Sequence, residues 1–210
     1  MPAIGITGGI STGKTSFCEC LHELLPAAAK FFDADQAAHE LVELDPDARK
    51  ELVVEFGREI FSRDGRLKRE RLRALIFKNA AKRRALEQIL HPQIRRQWSA
   101  EAERHRHSPD FFVADIPLLY ETGGETLCDR AVVVACSPSI QLARLLLRKG
   151  ITGSAAKEMI KSQMPLAEKI TRADHVVWNN DERSVLAEQA RSLVDLWRQE
   201  KWTTPARLEK

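Results

Sequence analysis

Eight residues near the beginning of the chain, Gly8 to Thr15, have the types and spacing of a phosphate-binding loop. Their sequence, GGISTGKT, fits the pattern G-x-x-x-x-G-K-[ST]. The glycines let the backbone fold tightly around a di- or triphosphate, so that successive N–H groups point at its oxygens. Lys14 would bring a positive charge to the β- and γ-phosphates, and the Thr15 hydroxyl would be a ligand for Mg²⁺.

The segments on either side of the loop agree with this interpretation. Residues 3–7 form an apolar run that predicts a short strand buried on both faces. After Lys14, apolar residues recur at helical spacing until Pro26, which predicts a helix that ends near Leu25. The loop would therefore lead into a helix N-terminus, where unpaired N–H groups and the helix dipole favour an anion. A glycine-rich turn before an ordinary helix is the alternative.

Two aspartates follow predicted strands and could act on a phosphoryl group or a metal ion. Asp33 ends the strand predicted at 30–33, at the strand end that lines the ligand crevice of doubly wound sheets. It could take the proton of an attacking hydroxyl, hold Mg²⁺ or cap the next helix, whereas Asp35 suits capping. Asp115 follows an apolar run, as in a Walker-B element whose carboxylate orients Mg²⁺. A simple turn residue is the alternative for Asp115.

A set of basic residues later in the chain would supply cations for a phosphoryl group in transfer. Arg144 and Arg148 are four residues apart, so they share one face of a helix. Arginine is also the better donor for bidentate contacts with phosphate. Most of the lysines in the set are expected on a solvated face. The set comprises Arg144, Arg148, Lys149, Lys157, Lys161 and Lys169.

Five short strands separated by helical patterns must position these residues. Each strand is rich in Val, Ile, Phe or Ala, as in a sheet buried between helices. The alternation predicts an α/β fold with a five-stranded parallel sheet and helices on both faces. The predicted strands lie at 3–7, 30–33, 111–116, 130–135 and 175–178.

A long helical insertion separates the second and third strands. Pro46, Gly57, Gly65 and Pro92 punctuate it. Pro92 is expected to kink the last helix of the insertion or to begin its second half. The predicted helices lie at about 35–44, 47–56, 69–77 and 80–105. Such a block beside an α/β core is a common place for an acceptor site.

A second, smaller insertion runs from about 148 to 171. The helix before it would begin with Ser137 as N-cap and end at Gly150. A short basic helix and Pro165 follow, and helical hairpins of this kind can close over a nucleotide. The last helix would begin after Asp181 as N-cap. Its residues expected in the core are Val185, Leu186, Leu193, Leu196 and Trp197.

The composition is typical of a globular protein and excludes several functional classes. Hydrophobic residues make up 43% and charged residues 30% of the chain, and no apolar run approaches the roughly 18 residues of a membrane span. The net charge of +3 is too small for a nucleic-acid signature. We expect a cytoplasmic protein, because no secretion signal precedes the first strand and the cysteines lie in apolar stretches, as structural thiols do. These cysteines are Cys18, Cys20, Cys128 and Cys136.

Together, these motifs resemble the dephospho-CoA kinase family over residues 3 to about 181, in order and with compatible spacing. The phosphate loop is generic, whereas Asp33-Ala34-Asp35, His91-Pro92 and the segment from Asp115 to Glu121 are specific in combination. Further matching positions are Thr7, Ile10, Phe56, Gly57, Asp64, Gly65, Leu67, Arg69, Leu86, Glu87, Gln141, Arg144, Arg148, Gln163, Lys169, 173–177 and Asn179.

The resemblance implies transfer of the γ-phosphoryl group of ATP to the ribose 3′-hydroxyl of dephospho-CoA, with Mg²⁺, as the last step of coenzyme A synthesis. It also implies a P-loop kinase core at 1–33, 109–147 and 172–200, a helical acceptor domain at 34–108, a lid at 148–171 and a polar tail at 201–210. The partners would be ATP and dephospho-CoA, without nucleic acid or membrane. The chain would be a monomer or a weak homo-oligomer.

The resemblance also implies roles for single residues. Asp33 would be the general base on the 3′-hydroxyl, and Lys14 and Arg148 would be the other catalytic groups. Thr15 and Asp115 would hold Mg²⁺. The acceptor would be bound by Asp33, Arg69, His91, Asp115 and Leu118. ATP would be bound by Gly8, Gly9, Ser11, Thr12, Gly13, Lys14, Thr15, Ser16, Arg144 and Asn179, with Asn179 near the adenine.

Four positions depart from the usual pattern of the family. Ser11 stands where a glycine is usual, and its side chain is expected to point away from the phosphates. Met159 stands where the lid usually carries an arginine, so Lys157 or Lys161 would have to substitute. Lys68 and Asp181 replace an aspartate and a glycine.

Two other functions are compatible with the phosphate loop. One is a P-loop kinase with another acceptor, such as a nucleoside monophosphate. The other is a nucleotide-binding module without catalysis, but the presence of Asp33, Lys14 and Asp115 argues against it.

Overall fold

The computed structural model describes residues 2–27, 29–105, 111–148, 150–200 and 202. The chain divides into two compact units, one formed by Met1–Phe32 with Ala102–Lys210 and the other by Asp33–Glu101. Lys149, the predicted domain boundary at 108–109 and the tail apart from Trp202 lie outside the described residues. We describe each unit separately.

The first unit is built around a sheet of five strands in the order β2-β3-β1-β4-β5. The strands β1, β3, β4 and β5 pair in parallel, for example through Ile4 with Val113 and Val134 with Val177. The predicted strands agree with the observed ones to within one residue at each end. These are β1 (Ala3–Gly8), β2 (Ala29–Asp33), β3 (Phe111–Asp115), β4 (Arg130–Ala135) and β5 (His175–Trp178).

Five helices belong to the described part of the first unit. They are α1 (Lys14–Leu24), α6 (Pro138–Leu146), α7 (Gly153–Lys161), α8 (Leu166–Arg172) and α9 (Arg183–Gln199), and a short 3₁₀ turn lies at Gly124–Leu127. Among the described residues, none of the helices is long and apolar enough to cross a membrane.

Buried residues of the strands pack against α1 and α9 to form the core of the first unit. Ile6, Val132 and Val134 are inaccessible to solvent, as are Phe17 of α1 and Trp197 of α9. The tail residue Trp202 packs against this core, and its indole N–H donates to the carbonyl of Trp197 at 2.8 Å. Packing of this kind fixes the strand ends from which the phosphate loop and Asp115 emerge.

Three predictions about helix ends and faces in the first unit are wrong. The helix that begins at Ser137-Pro138 ends at Leu146 rather than at Gly150. Glu182, not Asp181, is the N-cap of α9. Two residues of α9 that were expected in the core are well exposed, namely Val185 and Leu196. An apolar residue beside the buried stripe of a helix can remain in solvent, because spacing alone does not fix the width of the stripe.

The second unit is helical. It contains α2 (Ala34–Leu44), α3 (Pro46–Phe56), α4 (Arg69–Lys78) and most of α5 (Ala80–Arg104), with a 3₁₀ turn at Arg58–Ile60. Its core includes the buried side chains of Leu41, Leu52, Phe56, Ile60 and Leu90. The helix α5 continues through Pro92 as one element. The carbonyl that faces Pro92 loses its helical hydrogen bond there, a cost that long helices tolerate.

Candidate active site

The phosphate loop connects β1 to α1, as the sequence predicts. Gly8 is the last residue of β1, and Lys14 is the first residue of α1. Between them, Gly13 adopts a left-handed conformation with φ of 94°, and the first turn of α1 carries no acidic side chain. Because the first N–H groups of a helix lack internal partners, this end of α1 offers donors and a positive dipole end to an anion.

Hydrogen bonds fix the backbone in the first half of the loop. The carbonyl of Gly9 accepts from the backbone N–H and the hydroxyl of Thr12, at 3.3 and 2.9 Å. The side-chain amide of Gln141 donates to the carbonyl of Ile10 at 2.8 Å. The N–H of Ile10 donates to the side-chain oxygen of Gln163 at 2.8 Å. Two glutamines, one in α6 and one between α7 and α8, therefore fix the backbone of Ile10.

The second half of the loop is held at the carbonyl of Thr12. This carbonyl accepts from the side-chain amide of Asn179 at 2.9 Å and from the guanidinium of Arg144 at 3.3 Å. Asn179 is buried, with 7% of its surface exposed. In a planar trans peptide the carbonyl and the following N–H point in opposite directions, so these bonds direct the N–H of Gly13 away from Asn179. Direct contacts of Arg144 and Asn179 with ATP remain a prediction.

Backbone geometry explains two residue choices in the loop. A Cβ atom on Gly13 would lie 1.8 Å from Nδ2 of Asn179, and the positive φ of this residue also favours glycine. Ser11 has φ of 59°, a left-handed conformation in a residue that is not glycine. Its hydroxyl is buried and makes no hydrogen bond to the described residues. The usual glycine at position 11 therefore suits the backbone.

Lys14 forms an ion pair with Asp115 at the end of β3. Both side chains are mostly buried, at 15% and 16% exposure. The second carboxylate oxygen accepts from the thiol of Cys18 at 3.5 Å. The structure thus brings together the predicted phosphate-binding lysine and the predicted Walker-B aspartate. To reach a phosphate, the ammonium group of Lys14 would exchange at least part of its contact with Asp115.

Thr15 and Asp115, the predicted Mg²⁺ ligands, carry oxygen donors of the kind that this ion prefers. Thr15 is exposed in the first turn of α1, beside the half-buried Ser16, and Asp115 supplies a carboxylate. The described residues contain no cluster of three or more His, Cys, Asp or Glu side chains suited to a metal ion. Mg²⁺ is commonly held by one or two protein groups together with substrate phosphates and water. A hydroxyl and a carboxylate are therefore a sufficient protein contribution.

The basic residues of the late insertion lie in two different environments. Arg148 follows α6 and is exposed, as are Lys157 and Lys161 of α7 on either side of Met159. Lys161 pairs with Glu158 at 3.5 Å. Lys169, by contrast, has no exposed surface. Lys157 and Lys161 thus lie on the solvated face expected for most of these lysines, and Lys169 is the buried exception among those described.

In the second unit, Asp33 is the N-cap of α2. Its Oδ1 atom accepts from the backbone N–H groups of Asp35 and Gln36, at 2.8 and 3.0 Å. Asp33 therefore fills the capping role that the sequence suggested for Asp35. Both bonds use one oxygen of an exposed carboxylate, and a carboxylate has a second oxygen for other partners. Capping and a role in chemistry are compatible.

The other predicted acceptor residues of the second unit lie on α4 and α5. Arg69, half exposed, pairs with Glu43 at 2.9 Å. Burial lowers the pKa of His91 below its usual value, and Glu87 one turn earlier opposes this shift. A histidine held neutral suits hydrogen bonding better than charge pairing. Leu118, predicted for the same role, belongs to the first unit, where its carbonyl accepts from Thr122.

Three residues of the first unit contact the phosphate loop although no such contact was predicted for them. They are Gln141, Gln163 and Lys169, which reach the loop at Ile10 or Gly8. All three belong to the family resemblance, and Lys169 also belongs to the basic set. A usable signal for Lys169 was Leu166, which lies three residues earlier on the same face of α8.

Comparisons with known proteins agree on one family. The family model "CoaE: Dephospho-CoA kinase" matches residues 2–184. A dephospho-CoA kinase from Geobacillus kaustophilus is 39% identical over 196 residues, which cover 92% of this chain and 96% of that protein.

Two solved structures resemble the fold over almost the whole chain. TT1252 from Thermus thermophilus has a TM-score of 0.75 and 28% identity, and covers 95% of this chain and 98% of its own. A dephospho-CoA kinase from Campylobacter jejuni has a TM-score of 0.69 and 23% identity, and covers 92% of this chain and 95% of its own. The second likeness is evidence for the fold alone.

Proposed function

Because the chain belongs to the dephospho-CoA kinase family, we propose that its phosphate loop binds ATP and that the γ-phosphoryl group passes to the ribose 3′-hydroxyl of dephospho-CoA. The activity of this family is ATP-dependent phosphorylation of dephospho-CoA in coenzyme A synthesis. The sequence-based prediction of this activity is confirmed. The P-loop kinase fold is confirmed as well. The observation that supports the use of this loop is that the carbonyls of Gly9, Ile10 and Thr12 all accept side-chain hydrogen bonds, which fix the loop backbone.

The donor side of the reaction needs fixed dipoles and cations around a polyphosphate. With the carbonyls of Ile10 and Thr12 held, the same peptide groups would present the N–H donors of Ser11 and Gly13 without reorganisation, which is the main source of electrostatic catalysis. Lys14 would move from Asp115 to the β- and γ-phosphates, and Arg148 would add a cation from the lid side. When bound through Thr15 and Asp115, Mg²⁺ would neutralise phosphate charge. Lys157 or Lys161 would substitute for the arginine that is missing at Met159.

The acceptor side needs a base on the attacking hydroxyl. A ribose hydroxyl is a weak nucleophile, and a carboxylate within hydrogen-bond distance orients it and takes its proton late in a loose transition state. Asp33 is proposed for this role because it stands at the carboxyl end of β2 with an exposed carboxylate. Arg69, His91 and Leu118 are proposed as acceptor contacts. A cytoplasmic location is also proposed, since all four cysteines are buried thiols.

Replacing Asp33 by asparagine separates its cap from its chemistry. Asparagine caps a helix about as well as aspartate, so Asp33→Asn should fold normally. We expect turnover to fall by about 10²- to 10⁴-fold, the usual contribution of general-base catalysis. ATP affinity, measured by titration calorimetry, should change by less than about twofold, because the base does not act on ATP binding.

The matched control is Asp35→Asn, a neighbouring exposed aspartate in the first turn of α2. It should keep nearly full turnover. A large loss of ATP affinity in Asp33→Asn would assign Asp33 to metal binding or to structure, and unchanged turnover would remove it from the mechanism.

A further inference from the structure

Lys169 is a lysine without solvent contact that the mechanism above does not use. It lies in α8 with 0% of its surface exposed. Its ammonium group donates to the carbonyls of Gly8 and Pro117, at 3.3 and 3.0 Å, and forms an ion pair with the carboxylate of Glu121 at 2.9 Å. The charge is therefore both hydrogen-bonded and paired inside the protein.

Burial of this charge is costly, and packing alone does not account for it. A buried ion pair contributes little or nothing to stability relative to apolar residues of the same volume. A methionine would fill similar space without desolvating a charge. We therefore expect Lys169 to have a role that an apolar side chain cannot fill. The partners of its ammonium group indicate this role.

The contact with Gly8 acts on the entrance of the phosphate loop. The carbonyl of Gly8 and the N–H of Gly9 belong to one planar peptide group and point in opposite directions. A cation bound to the carbonyl fixes this plane and polarises the N–H on the other side. Lys169 thus does for the Gly8–Gly9 peptide what Asn179 and Arg144 do for the Thr12–Gly13 peptide.

The contact with Pro117 extends to the segment that carries Asp115. The same carbonyl accepts from the hydroxyl of Thr7 at 3.0 Å, so it is tied to β1 as well. Pro117 lies two residues after Asp115, the partner of Lys14. Lys169 therefore connects the start of the loop to the chain that follows the proposed Mg²⁺ ligand.

The contact with Glu121 extends to the linker between α7 and α8. The Glu121 carboxylate also accepts from the backbone N–H of Met164 at 3.0 Å. The preceding residue, Gln163, accepts from the N–H of Ile10 in the loop. Gln163 is thus bound to the phosphate loop, and the next residue of the linker, Met164, is bound to Glu121, the partner of Lys169. A shift of the linker would disturb both.

We propose that Lys169 is a positioning residue for nucleotide binding, which orients the Gly8–Gly9 peptide and, through Glu121, couples the phosphate loop to the α7–α8 linker. This inference rests on the proposed use of the loop for ATP. Lys169 would not touch ATP. Its effect would reach ATP through the Gly9 N–H and through the position of Gln163.

The test compares Lys169→Met with a control on the same helix. Arg172→Met also removes a cation of α8, and with it the ion pair to Glu125 and a contact with the Met164 sulfur, but within the described part of the chain Arg172 makes no hydrogen bond or ion pair with the phosphate loop. ATP binding is measured by titration calorimetry without dephospho-CoA, and kcat and both KM values are measured with it. Lys169→Met should weaken ATP binding about tenfold or more, the size of a lost hydrogen bond to a charged group. The KM for dephospho-CoA should not change, and Arg172→Met should bind ATP as the unaltered chain does.

A double variant distinguishes positioning from folding. Lys169→Met leaves the Glu121 carboxylate without its cation, whereas Lys169→Met with Glu121→Gln removes both charges. The double variant should regain thermal stability in the absence of nucleotide and still bind ATP weakly. If it regains ATP affinity together with stability, Lys169 is only structural and the proposal is overturned. If Lys169→Met does not fold, the double variant decides alone.

A second control separates this proposal from the proposed function. Lys14→Ala should weaken ATP binding whatever Lys169 does, because Lys14 is proposed to contact the phosphates directly. If Lys14→Ala loses affinity and the folded Lys169 variants do not, the positioning role is overturned and the function stands. If neither variant loses affinity, the loop is not the ATP site and both proposals fail.

Discussion

The phosphate loop of the first unit and the proposed acceptor residues of the second unit are held in opposite ways. The loop is anchored by buried side chains distant in sequence, including Gln141, Lys169 and Asn179. Asp33 and Arg69 are exposed, and their partners on α2 lie within their own unit. The donor half is thus organised by the fold before any ligand binds, whereas Asp33 and Arg69 face solvent.

Rigidity has different consequences for the phosphate loop and for the proposed acceptor residues. Phosphoryl transfer gains most from dipoles and cations that need no reorganisation. An acceptor must enter, align one hydroxyl and leave as product, and contacts made by exposed side chains allow this. We therefore expect changes in the loop to disturb ATP binding through strain, and changes in the second unit to disturb the acceptor alone.

Of the variants compared below, Gly13→Ala is expected to have the largest effect. Its Cβ atom would lie 1.8 Å from Nδ2 of Asn179, at a residue with φ of 94°. Either the loop or Asn179 must shift, and the left-handed backbone adds about 1–2 kcal/mol of strain. ATP affinity should fall by about tenfold or more, since about 1.4 kcal/mol corresponds to a factor of ten. Titration calorimetry with ATP measures this directly.

Gly153→Ala is the matched control for that variant. Apart from its chain neighbours and the backbone of its own helix, no described residue lies within 4 Å of a Cβ atom placed at Gly153, the first residue of α7. Its ATP affinity should equal that of the unaltered chain. If Gly13→Ala binds ATP as tightly as the unaltered chain, the loop can adapt to the added Cβ atom. The phosphate loop and the second unit would then not differ in rigidity.

Arg69→Ala tests the other side of the comparison. This variant removes the guanidinium proposed to contact dephospho-CoA, so the KM for this substrate should rise by about tenfold, as for one charge-assisted hydrogen bond. ATP affinity should stay unchanged, because Arg69 belongs to the second unit. Steady-state kinetics with each substrate varied in turn provides the measurement.

Arg73→Ala provides the control for Arg69. Arg73 lies one turn later on α4 and pairs with Glu70 at 2.8 Å, so a similar surface ion pair is removed. Kinetic constants equal to those of the unaltered chain are expected. A similar rise in KM in both variants would indicate a general loss of positive charge rather than a specific contact at Arg69.

Ser11→Gly should have the smallest effect and the opposite sign. It relieves a left-handed residue and removes a buried hydroxyl that makes no hydrogen bond to the described residues. Glycine loses more backbone entropy on folding, by roughly 0.5–1 kcal/mol, so the net gain in unfolding free energy should stay below about 1 kcal/mol. Thermal unfolding measures it. A lower melting temperature would show that the serine side chain stabilises the loop.

The sequence predicts the phosphate loop and its setting well because these are local features. The loop pattern, the apolar strand before it and the helical spacing after it lie within about 25 residues. The five strands follow from short apolar runs, and their observed bounds differ by at most one residue at each end. Helix ends follow less closely from the sequence: α6 ends at Leu146 although Leu147 and Arg148 are good helix formers.

The side chains that hold the loop are harder to predict. Lys169 is separated by 161 residues from its partner Gly8, so no local pattern predicts this contact. Asp33 is a second case, because a strand-end aspartate before a helix suits both a cap and a base. The structure shows the cap, and the base remains a prediction. Such assignments depend on contacts between distant segments or on chemistry that only a bound substrate reveals.

The most direct test of the account is an acceptor screen with the intact chain and Mg-ATP. Dephospho-CoA, adenosine, AMP and pantetheine are each supplied, ADP formation is followed, and the product is identified by mass spectrometry with assignment of the phosphorylated hydroxyl by NMR. We predict ADP formation with dephospho-CoA alone and a product phosphorylated at the ribose 3′-hydroxyl. Folded protein that fails to turn over dephospho-CoA, or that phosphorylates AMP faster, would contradict the account.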